Sequence, residues 1–155
     1  MKEAPADFAY DHLVQLLTAE WLMQVSELEY LPVGFGAHHW RAVGADHTAY
    51  FLALHDLRLP ADLSYQQLGG ALETAHWLRH VGELEFVLPP IRNQSGNVVV
   101  RFGVDAALAV YPWLSCRPRR DLDAADVGHL LARLHASCPE LRPHNSRRRG
   151  RALHG

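Results

Sequence analysis

The stretch Glu27–Leu57, ELEYLPVGFGAHHWRAVGADHTAYFLALHDL, decides the fold that the sequence predicts. Its aromatic and aliphatic residues fall into runs that predict three strands, at 27–33, 37–43 and 48–55. Gly34-Phe35-Gly36 turns the chain between the first two strands, and Gly44-Ala45-Asp46 is a tight-turn signal before the third. Strands joined by such a glycine loop are typical of a flap that covers phosphate groups, because glycine lets the backbone approach a phosphate closely.

Apolar residues at helical spacing predict three helices, at 11–22, at Tyr65 to His80 and at 123–136. Asp7, Ser64 and Asp123 are their predicted N-caps. Gly69-Gly70 lies inside the second helix and costs it about 1 kcal/mol per glycine relative to alanine.

Further strands are predicted after the second helix. A short strand at Leu84–Leu88 is stopped by Pro89-Pro90. Residues 93–97 are a turn cluster, and a strand pair is predicted at 97–102 and 106–113. The order of elements predicts an α+β fold, in which helices pack on an antiparallel sheet of about five strands.

The composition is that of one globular domain or one lobe of a larger one, with 155 residues, 48% of them hydrophobic and 21% charged. A net charge of -2 does not favour binding to nucleic acid or to an anionic membrane. No apolar run is long enough to cross a membrane, and the acidic N-terminal segment is not typical of a signal peptide. Cys116 and Cys138 form no C-x-x-C motif, which favours a reducing cytoplasm and inert thiols.

The hydrophobic periodicity ends after Ser137. Residues 1–138 are therefore predicted to form the folded lobe, and residues 139–155 a basic, disordered tail. Arginines crowd this tail, but no aromatic residues are interleaved with them, so nucleic-acid binding is not expected. A frameshift or a premature stop would explain such a tail equally well.

Four segments in this order resemble the amino-terminal lobe of the aminoglycoside/choline phosphotransferase family, which has a protein-kinase-like fold. They are LEYLPVGFGAHHW (28–40), AYFLALHDL (49–57), GELEFVLPPIRNQSGNVVVRFGVDAALAVYPWL (82–114) and DVGHLLARLHAS (126–137). The resemblance implies ATP and Mg²⁺ as cofactors and a small molecule with a hydroxyl group as the phosphate acceptor.

The resemblance also implies which residues contact the nucleotide. Gly34 and Gly36 correspond to the loop over the phosphates, and the segment Tyr111, Pro112, Trp113 and Leu114 corresponds to the hinge that hydrogen-bonds the purine. The loop departs from the kinase pattern G-x-G-x-x-G, because His39 stands at the third glycine position.

A phosphate-binding lysine is expected on the third strand, and Glu73 is in the position of the glutamate that would hold it. Ala53 stands where the lysine is expected, and Lys2 is the only lysine in the chain. His55 is predicted to face the same side of the strand as Ala53 and to supply a weaker, pH-dependent positive charge.

The residues that complete phosphoryl transfer in this fold are an aspartate that positions the acceptor and an Asn/Asp set that holds magnesium. No H-x-D-x-x-x-x-N segment occurs in this sequence, and Asp121-Leu122-Asp123 is better explained as the start of a helix. The isolated chain is therefore expected to be a truncated or fragmentary relative that binds nucleotide weakly and does not turn it over.

Two other interpretations stay open. His76 and His80 have the i, i+4 spacing of helical zinc sites, but no third ligand is evident, so histidines without a metal are expected. His38 and His39 are expected to fill opposite faces of a strand. A non-catalytic interaction module is the alternative function, because an isolated lobe exposes an apolar cleft that favours a homodimer or a protein partner.

Overall fold

The computed structural model describes Ala4 and residues 8–34, 36–58, 64–115 and 123–137. The elements in chain order are α1 (Tyr10–Trp21), β1 (Val25–Leu31), β2 (Ala37–Gly44), β3 (Ala49–Asp56), α2 (Tyr65–His80), β4 (Val100–Phe102), β5 (Ala106–Pro112) and α3 (Ala124–Ser137). The chain divides into two compact units, residues 1–119 and residues 120–155, and α3 is the described element of the second.

The strands form one antiparallel sheet in the order β1-β2-β3-β5-β4. The predicted α+β fold with a five-stranded antiparallel sheet is thereby confirmed. The turn between β2 and β3 is closed by Asp46, whose carboxylate accepts hydrogen bonds from the backbone N–H and the hydroxyl of Thr48 at 3.0 and 2.8 Å. These bonds lower the pKa of the Asp46 carboxyl.

The strand predicted at Leu84–Leu88 is wrong, because this segment forms a turn and irregular chain. Its backbone bonds are local: Leu84 N–H donates to the carbonyl of Leu78 at 2.9 Å, and Val87 N–H donates to the carbonyl of Leu84 at 3.0 Å. Apolar composition alone predicted a strand, but these donors are used in turns. The strand predicted at 97–102 is likewise shortened to β4.

One face of the sheet is covered by α1. The cluster of buried residues between them comprises Leu13, Leu17, Met23, Trp40, Ala42, Leu52, Leu54, Leu108 and Val110. Leu13 and Leu17 are fully buried, and burial of each stabilises the fold by roughly 1.5–3 kcal/mol. The predicted Asp7 cap lies outside the described residues, and α1 begins after Ala9 without a side-chain cap.

The opposite face of the sheet packs partly against α2. Ser64 caps α2 in a capping box with Gln67, and the helix has the bounds predicted from the sequence. Leu68 of α2 forms a second buried cluster with Val98, Val99 and Ala107. Ala107 is on β5, next to the edge strand β4, so α2 covers only this side of the face. The remainder of the face lines a cleft.

Helix α3 begins as predicted, since Ala125 N–H donates to the Asp123 carboxylate at 3.0 Å. Its apolar residues Val127 and Leu131 are 39% and 50% exposed. Among the described residues, no helix is both long enough and apolar enough to cross a membrane.

Candidate functional site

Strand alternation creates an apolar cleft on the face of the sheet opposite α1. In β3, Leu52 and Leu54 point into the α1 cluster, so Phe51, Ala53 and His55 point the other way. The cleft has a volume of about 650 Å³. Its lining residues are Leu31, Val33, His39, Phe51, Ala53, His55, Leu88, Tyr111, Pro112, Trp113 and Leu114. Such a volume suits a small organic ligand.

The glycine loop lies next to the cleft, because Val33, which precedes Gly34, and His39, which packs against Gly34, both line it. Gly34 and Gly36 have φ angles of +75° and +78°, a backbone conformation that favours glycine. His39 packs under the loop: a Cβ atom built on Gly34 would lie 2.9 Å from its Cε1 atom. The Nδ1–H of His39 donates to the carbonyl of Val33 at 2.8 Å, and the ring stacks on Phe51 with centroids 5.0 Å apart. The His39 imidazole therefore contacts both the residue before the glycine loop and the floor of the cleft.

Strand β3 supplies the middle of the floor. Ala53, the position where a lysine was expected, is only 4% exposed and lines the cleft. His39 on β2 lies directly opposite it in the strand register. His55 follows on the same face and also lines the cleft. The expected lysine position is therefore bordered by two imidazoles.

The end of β5 and the two residues that follow it form the other wall. All four residues predicted as a hinge, Tyr111, Pro112, Trp113 and Leu114, line the cleft. Burial raises the pKa of the Tyr111 phenol, which marks this wall as poorly solvated. Trp113 N–H donates to the carbonyl of Ala49 at 3.2 Å, and the Arg41 guanidinium lies 5.5 Å from the Trp113 ring centroid.

Glu73 is placed outside this cleft. Its carboxylate accepts two hydrogen bonds from the Arg92 guanidinium, at 2.8 and 2.6 Å, and these bonds lower the pKa of the Glu73 carboxyl. Arg92 also donates to the carbonyl of Gly96 at 2.6 Å. Glu73 thus forms an ion pair, but its partner is in the segment before β4 and not on β3.

The histidine pair on α2 has a different environment. The Nε2–H of His76 donates to the carbonyl of Pro90 at 2.5 Å, and its ring stacks on that of His80 with centroids 5.4 Å apart. Within the described part of the chain, no three His, Cys, Asp or Glu side chains are grouped so that they could hold a metal ion. Cys116, Cys138, Asp121 and Leu122 lie outside the described residues.

Sequence reasoning missed several cleft residues. Phe51 could have been found, because it shares the strand face of Ala53 and His55. His39 was assigned to strand filling, although its place opposite Ala53 follows once the β2–β3 register is known. Leu88 comes from the turn-forming segment that was predicted as a strand, so its place in the cleft depends on tertiary structure.

Solved structures of antibiotic kinases share this fold. A spectinomycin phosphotransferase, APH(9)-Ia, in complex with ADP and spectinomycin, matches with a TM-score of 0.64 and 14% identity over 81% of this chain and 37% of that chain. An amicoumacin kinase, hAmiN, in complex with AMP-PNP and Ca²⁺, matches with a TM-score of 0.50 and 17% identity over 77% of this chain and 34% of that chain. No family model and no curated protein matches the sequence.

These matches define the class of fold. The chain has the kinase-like fold of the amino-terminal lobe of such phosphotransferases, as the four sequence segments predicted. It spans 37% and 34% of the length of the two kinases.

Proposed function

We propose that the cleft binds an adenine nucleotide, as the nucleotide-covering lobe of a phosphotransferase that transfers phosphate from ATP to a small-molecule hydroxyl. One observation carries this proposal. Three regions that are far apart in sequence border one apolar cleft of about 650 Å³: Val33 and His39 next to the glycine loop, Ala53 at the position of the expected lysine, and the predicted hinge. In the proposal, the purine lies between the apolar walls, and the phosphates lie under Gly34 and Gly36.

The hinge contacts are assigned to the backbone of Tyr111, Trp113 and Leu114, because Pro112 has no N–H to donate. In the proposal, the purine packs against the apolar side chains of Leu31, Val33 and Leu88. In this proposal, Glu73 ties α2 to the segment before β4 through Arg92.

The described cleft residues include no carboxylate, so Mg²⁺ would arrive with the nucleotide phosphates and find no protein ligand among them. An acceptor-positioning aspartate is also not among them. We therefore expect the 155-residue chain alone to bind nucleotide with a Kd on the order of 1 mM and to show no turnover.

Isothermal titration of the purified chain with ADP and with ATP–Mg²⁺ tests the binding. Ala53→Leu fills the floor of the cleft and should abolish the binding heat. Ala71→Leu adds the same atoms at an exposed position of α2 and should leave it unchanged. Thermal melts of both variants check that each is folded. Equal binding by all three proteins would refute the proposed site.

Self-association is a second candidate function, favoured by the apolar rim of the cleft. Val33, Leu88 and Leu114 are 50%, 41% and 55% exposed, and they border one opening. A homodimer or protein partner that covers this rim would bury apolar area that now faces water. Gel filtration tests this alternative. It is favoured if the chain is a dimer that the Leu114→Ser substitution dissociates and if nucleotide does not bind.

A further inference from the structure

The cleft offers an anionic ligand very few sources of positive charge. Of its described lining residues, only His39 and His55 can carry a positive charge, and none carries a negative one. Arg41 is not a lining residue, but its guanidinium lies 5.5 Å from the ring centroid of the lining residue Trp113. Ala53 stands between the two histidines on the floor, opposite His39 and two residues before His55. A nucleotide phosphate in this cleft would therefore meet imidazoles and backbone N–H groups.

His39 has the better defined geometry of the two. Its Nδ1–H is used in the bond to the carbonyl of Val33, so Nε2 is the atom that takes up a second proton. Nε2 lies 3.8 Å from the position of a Cβ atom built on Gly34. The atom that gains the proton therefore lies beside Gly34, next to the loop under which the proposal puts the phosphates.

We infer that His39 is the phosphate-binding cation of this cleft, and that it takes the place of the absent lysine only when its imidazole is protonated. This inference rests on the proposed nucleotide binding. Histidine side chains change charge between about pH 5 and 8, whereas a lysine stays charged throughout. Binding of nucleotide phosphates should therefore strengthen as the pH falls, while binding of the uncharged nucleoside should not.

The groups that surround His39 come from the loop and from three strands. Toward the loop it faces the Val33 carbonyl, an acceptor that the Nδ1–H keeps engaged. From β3 it faces Phe51 and shares the cleft with His55, and from β5 it shares the cleft with Tyr111. From β1 it is paired with the apolar Leu31. Arg41 follows two residues later on the same face of β2, with its guanidinium 5.5 Å from the Trp113 ring centroid and 3.9 Å from the Glu27 carboxylate. His38, the chain neighbour of His39, points to the other face and lines a different cavity with Asp56. No described carboxylate lines the cleft to neutralise a charge on His39.

The test compares adenosine with ADP as titrants at pH 5.5 and pH 8. For the unaltered chain, the ratio of ADP affinity to adenosine affinity should be about tenfold higher at pH 5.5, the effect of one charge-assisted contact. ADP itself takes up a proton near pH 6 and loses negative charge, which would weaken its binding to a cation at pH 5.5. Protonation of the ligand therefore cannot produce the expected rise.

Variants of the chain test whether His39 causes this rise in the ADP-to-adenosine affinity ratio at low pH. His39→Asn keeps an amide N–H that can donate to the Val33 carbonyl but has no proton to gain, so the rise should vanish. His129→Asn, at an exposed position of α3, is the matched control and should behave as the unaltered chain.

The outcomes separate the inference from the function on which it rests. If adenosine binds but the ADP-to-adenosine ratio is the same at both pH values, the inference is wrong and the nucleotide site stands. If His39→Asn keeps the rise and His55→Asn removes it, the assignment to His39 is wrong. If neither ligand binds at either pH, the proposed function fails.

Discussion

At the scale of single residues, a side chain at Gly34 would displace His39, which lines the cleft. The φ angle of Gly34 is +75°, and an added Cβ would lie 2.9 Å from the His39 ring. Gly103 is a matched control, because it has a φ angle of +65° with no atom within 4 Å of the Cβ position. Both substitutions meet the backbone strain of about 1–2 kcal/mol for a residue with a side chain, but only one also displaces His39.

We therefore predict that Gly34→Ala lowers the free energy of unfolding by about 1 kcal/mol more than Gly103→Ala does. Gly34→Ala should also weaken ADP binding, and Gly103→Ala should not. Urea denaturation and calorimetric titration of both variants measure this. Equal losses of stability with unchanged ADP affinity would show that the glycine loop has no part in binding.

Asp56 provides a pH-dependent contribution to stability away from the cleft. The Arg58 guanidinium donates to its carboxylate at 3.0 and 2.7 Å, and these bonds are the main cause that lowers the Asp56 pKa to about 2. Because the folded-state pKa lies below the unfolded value of about 3.9, the stabilisation is complete above that value and is lost as the pH falls toward 2.

Asp56→Asn should therefore lower the free energy of unfolding at pH 7 by less than about 1 kcal/mol, since Arg58 is largely exposed and the pair is screened by solvent. The difference from the unaltered chain should fall to a small fraction of its pH 7 value near pH 2, where about half of the folded-state carboxyls are protonated. Urea denaturation at both pH values gives the comparison. A difference that persists at the lower pH would mean that the carboxylate does not stabilise through its charge.

At the scale of elements, α2 is tied to the segment before β4 by Glu73 and Arg92. Both side chains are more than 40% exposed, so the ion pair should contribute only about 0.5 kcal/mol. We predict that Glu73→Gln changes ADP affinity by less than about twofold, because Glu73 lies outside the cleft. The control Glu29→Gln removes an exposed carboxylate from β1. Loss of ADP binding in Glu73→Gln alone would restore the role that the sequence first gave to Glu73.

The same elements explain which features the sequence could predict. Local sequence signals predicted the three helices and the β1–β2–β3 meander, because hydrophobic periodicity, helix caps and glycine turns depend on residues that are near each other in sequence. The cleft face of β3 also follows from strand alternation. The strand predicted at Leu84–Leu88 is wrong because turn hydrogen bonds there compete with a strand. The pairing of Glu73 with Arg92 spans 19 residues of chain, so local sequence signals do not predict it.

At the scale of the whole molecule, the described fold is a sheet with two unlike faces. One face is closed by α1 and holds the main core, and the other is shared between α2 and the open cleft. A chain that only needed stability would gain by covering the second face with apolar side chains. The cleft is instead floored by Ala53 between two histidines, and this arrangement is what the nucleotide proposal explains.

Mapping the backbone amide signals of the ¹⁵N-labelled chain during an ADP titration tests this proposal most directly. We predict saturable shifts that are largest at Gly34, Gly36, Trp113 and Leu114, and shifts at Gly34 and Gly36 that disappear when adenosine replaces ADP. Shifts confined to α2 or α3, or no saturable shift at several millimolar ADP, would contradict a nucleotide site in this cleft.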